Sequence, residues 1–128
     1  MRMPAKLLFV ALILILSGQI AFARVIKVGV VTDGQTENTA ALLNAVDGEI
    51  KKLVPESDEV QFEPELIKHG TWKIGNIQNA LDSLLKNTDV DAILAVGPLA
   101  SQLASTRGSY ARPVIAAHVI NASMQGLK

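Results

Sequence analysis

The residues best placed to do chemistry in this chain stand together at Gly97-Pro98-Leu99-Ala100-Ser101. Proline is pre-set for the first helical position and has no N–H to lose, so Pro98 opens a helix. The unpaired N–H groups of that first turn carry the positive end of the helix dipole. With the backbone of Gly97, Leu99 and Ala100 and the Ser101 hydroxyl, the turn suits a carboxylate or another small anion. The same five residues also make an ordinary compact strand-to-helix connection. Asp33 and Thr36 follow one apolar run and Asn121 follows another, which brings all three to the same rim if those runs are parallel strands. As helix caps or turn residues they would need no ligand.

His69 and His118 are the two histidines. Neither has a second ligand at metal spacing, so no metal and no cofactor is expected. Trp72 reads as a cover over the sheet edge or as a platform on which a ligand could stack. Enzymatic signatures are absent: there is no Gly-x-Gly-x-x-Gly, no Walker lysine and no Gly-x-Ser-x-Gly elbow. Gly97-Pro98 also stands where a receiver domain would carry its phosphoacceptor aspartate. A non-enzymatic function is expected.

The elements that must position these residues alternate in kind. Val25 to Val31 is a nearly continuous apolar, β-branched run and reads as a central strand. A polar loop from Thr32 to Thr36 leads to a helix from about Glu37 to Val54, with Leu43, Val46, Ile50 and Leu53 on one stripe. Val60, Phe62 and Leu66 alternate with polar residues, and Pro64 cannot donate to a ladder, so this second strand belongs at an edge. A helix from about Lys73 to Lys86 carries Ile74, Ile77, Leu81 and Leu84 at helical spacing. Gly75 in its first turn has no structural reason visible in the sequence. Ala92 to Val96 and Val114 to Ile120 are short apolar runs, each covered on both faces if it is a strand. The alternation predicts an α/β fold, a doubly wound parallel sheet of order 2-1-3-4 in a single three-layer α/β/α lobe. In such sheets ligands bind beyond the strands' carboxyl ends. The fourth strand is left as an apolar outer edge, a template for pairing with a second copy of the chain.

The address is written at the start. Arg2 and Lys6 precede an apolar run from Leu7 to Leu16, and Ala21-Phe22-Ala23 has the form of a cleavage site. Residues 1–23 are therefore expected to be a signal peptide removed before Arg24, and the periplasm is the expected destination. The run is well short of the roughly 20 residues that cross a bilayer. Cleavage takes two of the 12 basic residues and none of the 12 acidic ones, leaving a net charge of −2. That balance argues against a nucleic-acid or anionic-membrane partner. The absence of cysteine excludes a disulfide framework and lipid attachment at the leader.

Val90-Asp91-Ala-Ile-Leu-Ala-Val-Gly-Pro-Leu-Ala-Ser-Gln-Leu-Ala104, Arg112-Pro-Val-Ile-Ala-Ala-His-Val-Ile-Asn-Ala-Ser-Met-Gln-Gly126 and the opening Val28-Gly-Val-Val-Thr32 resemble the first lobe of ABC-transporter substrate-binding proteins, in the type I periplasmic-binding-protein superfamily. Residues 24–128 would form that lobe. Two positions depart from the family pattern: Gly97 stands for a threonine at the turn, and Asn121-Ala122 for an Asp-Pro. The resemblance implies a small polar or anionic, amino-acid-like solute held by Asp33, Thr36, Gly97, Leu99, Ala100, Ser101 and Asn121, with an inner-membrane ABC permease as partner. It also implies a second lobe, without which the chain is a fragment. Similar lobes resemble periplasmic extensions of TolC-type outer-membrane efflux proteins, so a protein-interaction module is the alternative.

Overall fold

The computed structural model describes residues 23–118. The leader up to residue 22, the last residues expected in the fourth strand (Val119 and Ile120) and Asn121 lie outside the described residues.

The organising element is β1, Arg24–Thr32, a nine-residue strand whose burial deepens along its length. Its first residues are exposed, and Val28 to Thr32 are fully buried. The cause is that β1 is paired along both edges. On one side it takes β4 (Ala92–Val96) in parallel register, from Val28 opposite Ala92 to Thr32 opposite Val96. On the other it takes β2 (Asp58–Gln61) beside its first half and β3 (Ile67–His69) beside its second. β5 (Val114–Ala116) pairs with β4 on the far side, also in parallel. The sheet runs β2/β3, β1, β4, β5, which is the doubly wound order expected from the sequence.

The expected second strand is not continuous. A single 3₁₀ turn at Pro64–Leu66 splits it into β2 and β3, and the two pieces pair with the same edge of β1. Proline has no N–H for the ladder, so the chain leaves the sheet there and re-enters it at Ile67.

Side chains alternate across the sheet, and each face has its own cover. Val28, Val30, Leu94 and Val96 face Leu43, Val46 and Ile50 of α1 (Thr39–Leu53). Val31, Ile93 and Ala95 face Ile77, Leu81 and Leu84 of α2 (Ile74–Lys86) and Ala100 and Ala104 of α3 (Pro98–Thr106). The helices therefore lie on both faces, in three layers. Each fully buried Ile or Leu in this set contributes about 1.5–3 kcal/mol by leaving water. The stripes end sooner than their spacing suggests: Leu53 is 84% exposed and Ile74 is 60% exposed. Leu53 is the last residue of α1 and Ile74 the first of α2, so the apolar period runs on by one position past the packed faces. Gly75 remains without an account, since a Cβ there would meet nothing within 4 Å. None of the described helices is long and apolar enough to cross a membrane.

Candidate functional site

The carboxyl ends of β1 and β4 converge on Asp33. Its N–H donates to the Val96 carbonyl at 3.2 Å, and its own carbonyl accepts the Trp72 N–H at 2.7 Å. Its carboxylate accepts two further backbone donors, the Leu99 N–H at 3.0 Å and the Ala100 N–H at 2.6 Å. Asp33 is thus the N-terminal cap of α3, supplied from a loop 66 residues earlier in the chain. It caps this helix and not the one that follows it in sequence. The free amides expected to receive an anion are already occupied by a carboxylate of the protein itself, and the favourable dipole interaction is used internally.

Gly97 makes that contact attainable. It has φ +110° and ψ 156°, a conformation closed to residues with a Cβ, and a Cβ at this position would lie 2.5 Å from the Asp33 carboxyl carbon. Where a threonine hydroxyl would have been expected at the turn, there is room only for the backbone.

Ser101 is fully buried and holds the far side of the same junction. Its hydroxyl donates to the Ala95 carbonyl at 3.1 Å and accepts the His118 N–H at 2.9 Å. The Gly97 N–H donates to His118 Nδ1 at 3.2 Å, so that nitrogen carries no proton while the bond is made. Together these bonds tie the end of β5 to the start of α3.

The third wall is the loop after β3. Gly70 donates its N–H to the Thr32 carbonyl at 2.9 Å, and the chain then passes through two consecutive left-handed residues, Thr71 at φ +53° and Trp72 at φ +60°. For a β-branched residue and a bulky aromatic this conformation costs of order 1 kcal/mol each. The Asn76 side-chain amide, which donates to Thr71 Oγ1 at 2.6 Å, and the Trp72 N–H bond to Asp33 hold the pair in place. The result is a tryptophan that is 59% exposed, with its indole lying on Gly34; a Cβ at Gly34 would be 2.3 Å from the ring nitrogen.

These walls enclose a cleft of about 330 Å³, lined among others by Asp33, Leu42, Trp72, Val96, Pro98 and His118. Its lining is mostly apolar, and its position beyond the carboxyl ends of β1 and β4 is where open α/β sheets bind ligands. Of the residues expected to contact a ligand, Asp33, Thr36 and Gly97 line it, and so do Trp72, read from the sequence as a cover or a stacking platform, and His118. Leu99 and Ala100 give only backbone N–H groups to the site, and their side chains pack with the cluster under α2 and α3. Ser101 is behind the wall, and Asn121 lies outside the described residues. Trp72 and His118, the two large polar-tipped side chains at the cleft, carried no motif that marked them. Their signal was topological: Trp72 follows the carboxyl end of β3, and His118 follows that of β5.

A neighbouring cavity of about 240 Å³ is lined by Thr36, Thr39, Ile67 and His69. There His69 Nδ1 and the Thr32 hydroxyl are 2.7 Å apart at the end of the β1–β3 ladder. A larger one, about 400 Å³, lies between α1 and the β2–β3 edge, among Asp47, Lys51, Glu59 and Glu63. It is remote from the strand carboxyl ends, and its charges are paired in part with each other and with Lys27. Among the described residues, no group of three or more His, Asp or Glu is placed to hold a metal ion.

No protein-family model, no curated protein and no solved structure matches this chain.

Proposed function

We propose that the protein is an exported solute-binding lobe of an ABC transport system, acting by binding and not by catalysis, and holding a small molecule in the cleft between Trp72 and His118. The observation that carries this reading is Trp72 itself. A solvent-exposed tryptophan fixed through a strained backbone is unfavourable for folding alone, and strain of this kind clusters where a fold presents a ligand-contacting surface. The location at the strand carboxyl ends supports the same conclusion. Export is supported by the order of charged, apolar and small-residue segments at the start of the chain, and β1 begins at Arg24, so cleavage after Ala23 would remove nothing from the sheet.

The solute is one that does not need the α3 amides. An anion docking there would have to displace the Asp33 carboxylate, which already satisfies them. A second reading, an interaction module of an envelope efflux assembly, draws support from Ile115, which is 56% exposed on the outermost strand. Thermal-shift screening of the protein purified from the periplasmic fraction against a library of small solutes separates the two. A solute-dependent rise in the unfolding temperature supports the transport reading. Recovery from the cytoplasm with Met1 to Ala23 still attached would contradict export.

A further inference from the structure

We propose that the ligand of this cleft is a compact organic cation, of the methylated-ammonium class; the assignment rests on the solute-binding reading and adds the ligand chemistry to it. Among the described residues the lining contains one carboxylate, Asp33, and neither lysine nor arginine. The flanking charges, Glu37 and Lys73, are exposed to solvent and do not line it. Asp33 is 4% exposed, so little water screens its charge, and the α3 N-terminus that it caps, worth about half a unit of positive charge, offsets it only in part.

The second feature is the indole. Trp72 is the best aromatic partner for a cation, and its ring, seated on Gly34, is still 59% exposed at the mouth of the cleft. The third is the shortage of free acceptors. A primary ammonium brings three donors, whereas each Asp33 carboxylate oxygen already accepts one backbone N–H, and the Thr32, Thr36 and Thr39 hydroxyls are engaged within the protein. Asn38 alone adds a side-chain carbonyl, and Leu42, Val96 and Pro98 offer apolar surface. A methylated ammonium needs no acceptor. It needs negative potential, an aromatic face and apolar contact, and those are what the cleft offers. Anions are disfavoured twice, by the Asp33 charge and by the loss of the amides that could have received them.

Trp72 is the only tryptophan of the chain, so its fluorescence reports this site alone. Titrations at constant ionic strength would use choline chloride, its uncharged carbon isostere (quaternary carbon in place of quaternary nitrogen) and sodium acetate. Choline is expected to bind about fivefold or more tightly than the isostere, in keeping with a partly desolvated cation–π contact, and acetate is expected to leave the signal unchanged. Trp72→Leu, read by calorimetry, should weaken choline by about tenfold while the isostere changes little; the substitution is at an exposed side chain, and circular dichroism verifies that the variant is folded. Isostere or acetate binding as tightly as choline overturns the cation assignment and leaves the solute-binding cleft standing. Silence to choline together with silence across a broad solute library overturns both.

Discussion

The Cβ that Gly97 lacks would lie 2.5 Å from the carboxyl carbon of Asp33, so the cap on α3 exists only because this residue is a glycine. A side chain at that position would have to push the carboxylate off the Leu99 and Ala100 amides and also adopt φ +110°. Gly97→Ala is therefore expected to lower stability by about 3 kcal/mol, from strain and overpacking together. Urea denaturation with an unchanged m-value measures it.

Asp33→Asn tests the cap from the other side. The carboxylate uses one oxygen for each amide, and an asparagine has one acceptor, with an NH₂ group facing the second N–H. Although asparagine is normally as good a cap as aspartate, here it should cost about 1–2 kcal/mol. Amide hydrogen exchange should speed up at Leu99 or Ala100 and hardly change in α1.

At Thr71 the expected effect has the opposite sign. Asparagine tolerates the left-handed region far better than threonine, and its side-chain oxygen can still accept from Asn76. Thr71→Asn should stabilise the protein by about 0.5–1 kcal/mol. Thermal unfolding of the two proteins side by side gives the difference, and an unchanged or lower midpoint would remove the evidence for strain beneath Trp72.

Tyr110 supplies a pH dependence. Its hydroxyl donates to the Ala104 carbonyl at 2.7 Å, and burial raises its pKa, with Arg107 opposing and Asp82 adding to the shift. The folded state thus holds the phenol proton more tightly than the unfolded chain. The contribution is complete below the unfolded pKa of about 10 and is lost as pH rises through the folded value. Tyr110→Phe should cost about 1 kcal/mol at neutral pH through the lost hydrogen bond, and should flatten the alkaline fall in stability. Lys27, whose pKa is raised by its hydrogen bond and ion pair with Glu63, titrates with the same sign and should leave a residual slope. Denaturation midpoints from pH 8 to about 11 would show both.

Local pattern carried most of the sheet. Parallel strands buried on both faces read as unbroken apolar runs, which made β1 and β4 plain, and the Ile77, Leu81 and Leu84 stripe found α2. Pro64 identified the edge strand but not its division into two, because whether a chain re-enters a ladder depends on the partner strand. The site was less legible. The Gly97-Pro98 turn located the α3 amides correctly, yet their occupant is 66 residues away, and a tertiary cap leaves no local signature. The exposure of Trp72 was equally hidden, since an aromatic residue in a short loop looks the same whether its backbone turns it inward or outward.

The central claim is that a solute binds between Trp72 and His118 at the carboxyl ends of β1 and β4. Amide and indole chemical-shift mapping of the isotope-labelled protein, titrated with a mixed library of small solutes, tests it most directly. Shifts are predicted for the Trp72 indole N–H and for the amides of Asp33, Gly34, Gly97 and His118, all around one cleft. Shifts confined to the opposite end of the sheet, near Val25 and Asp91, or none with any solute, would contradict it.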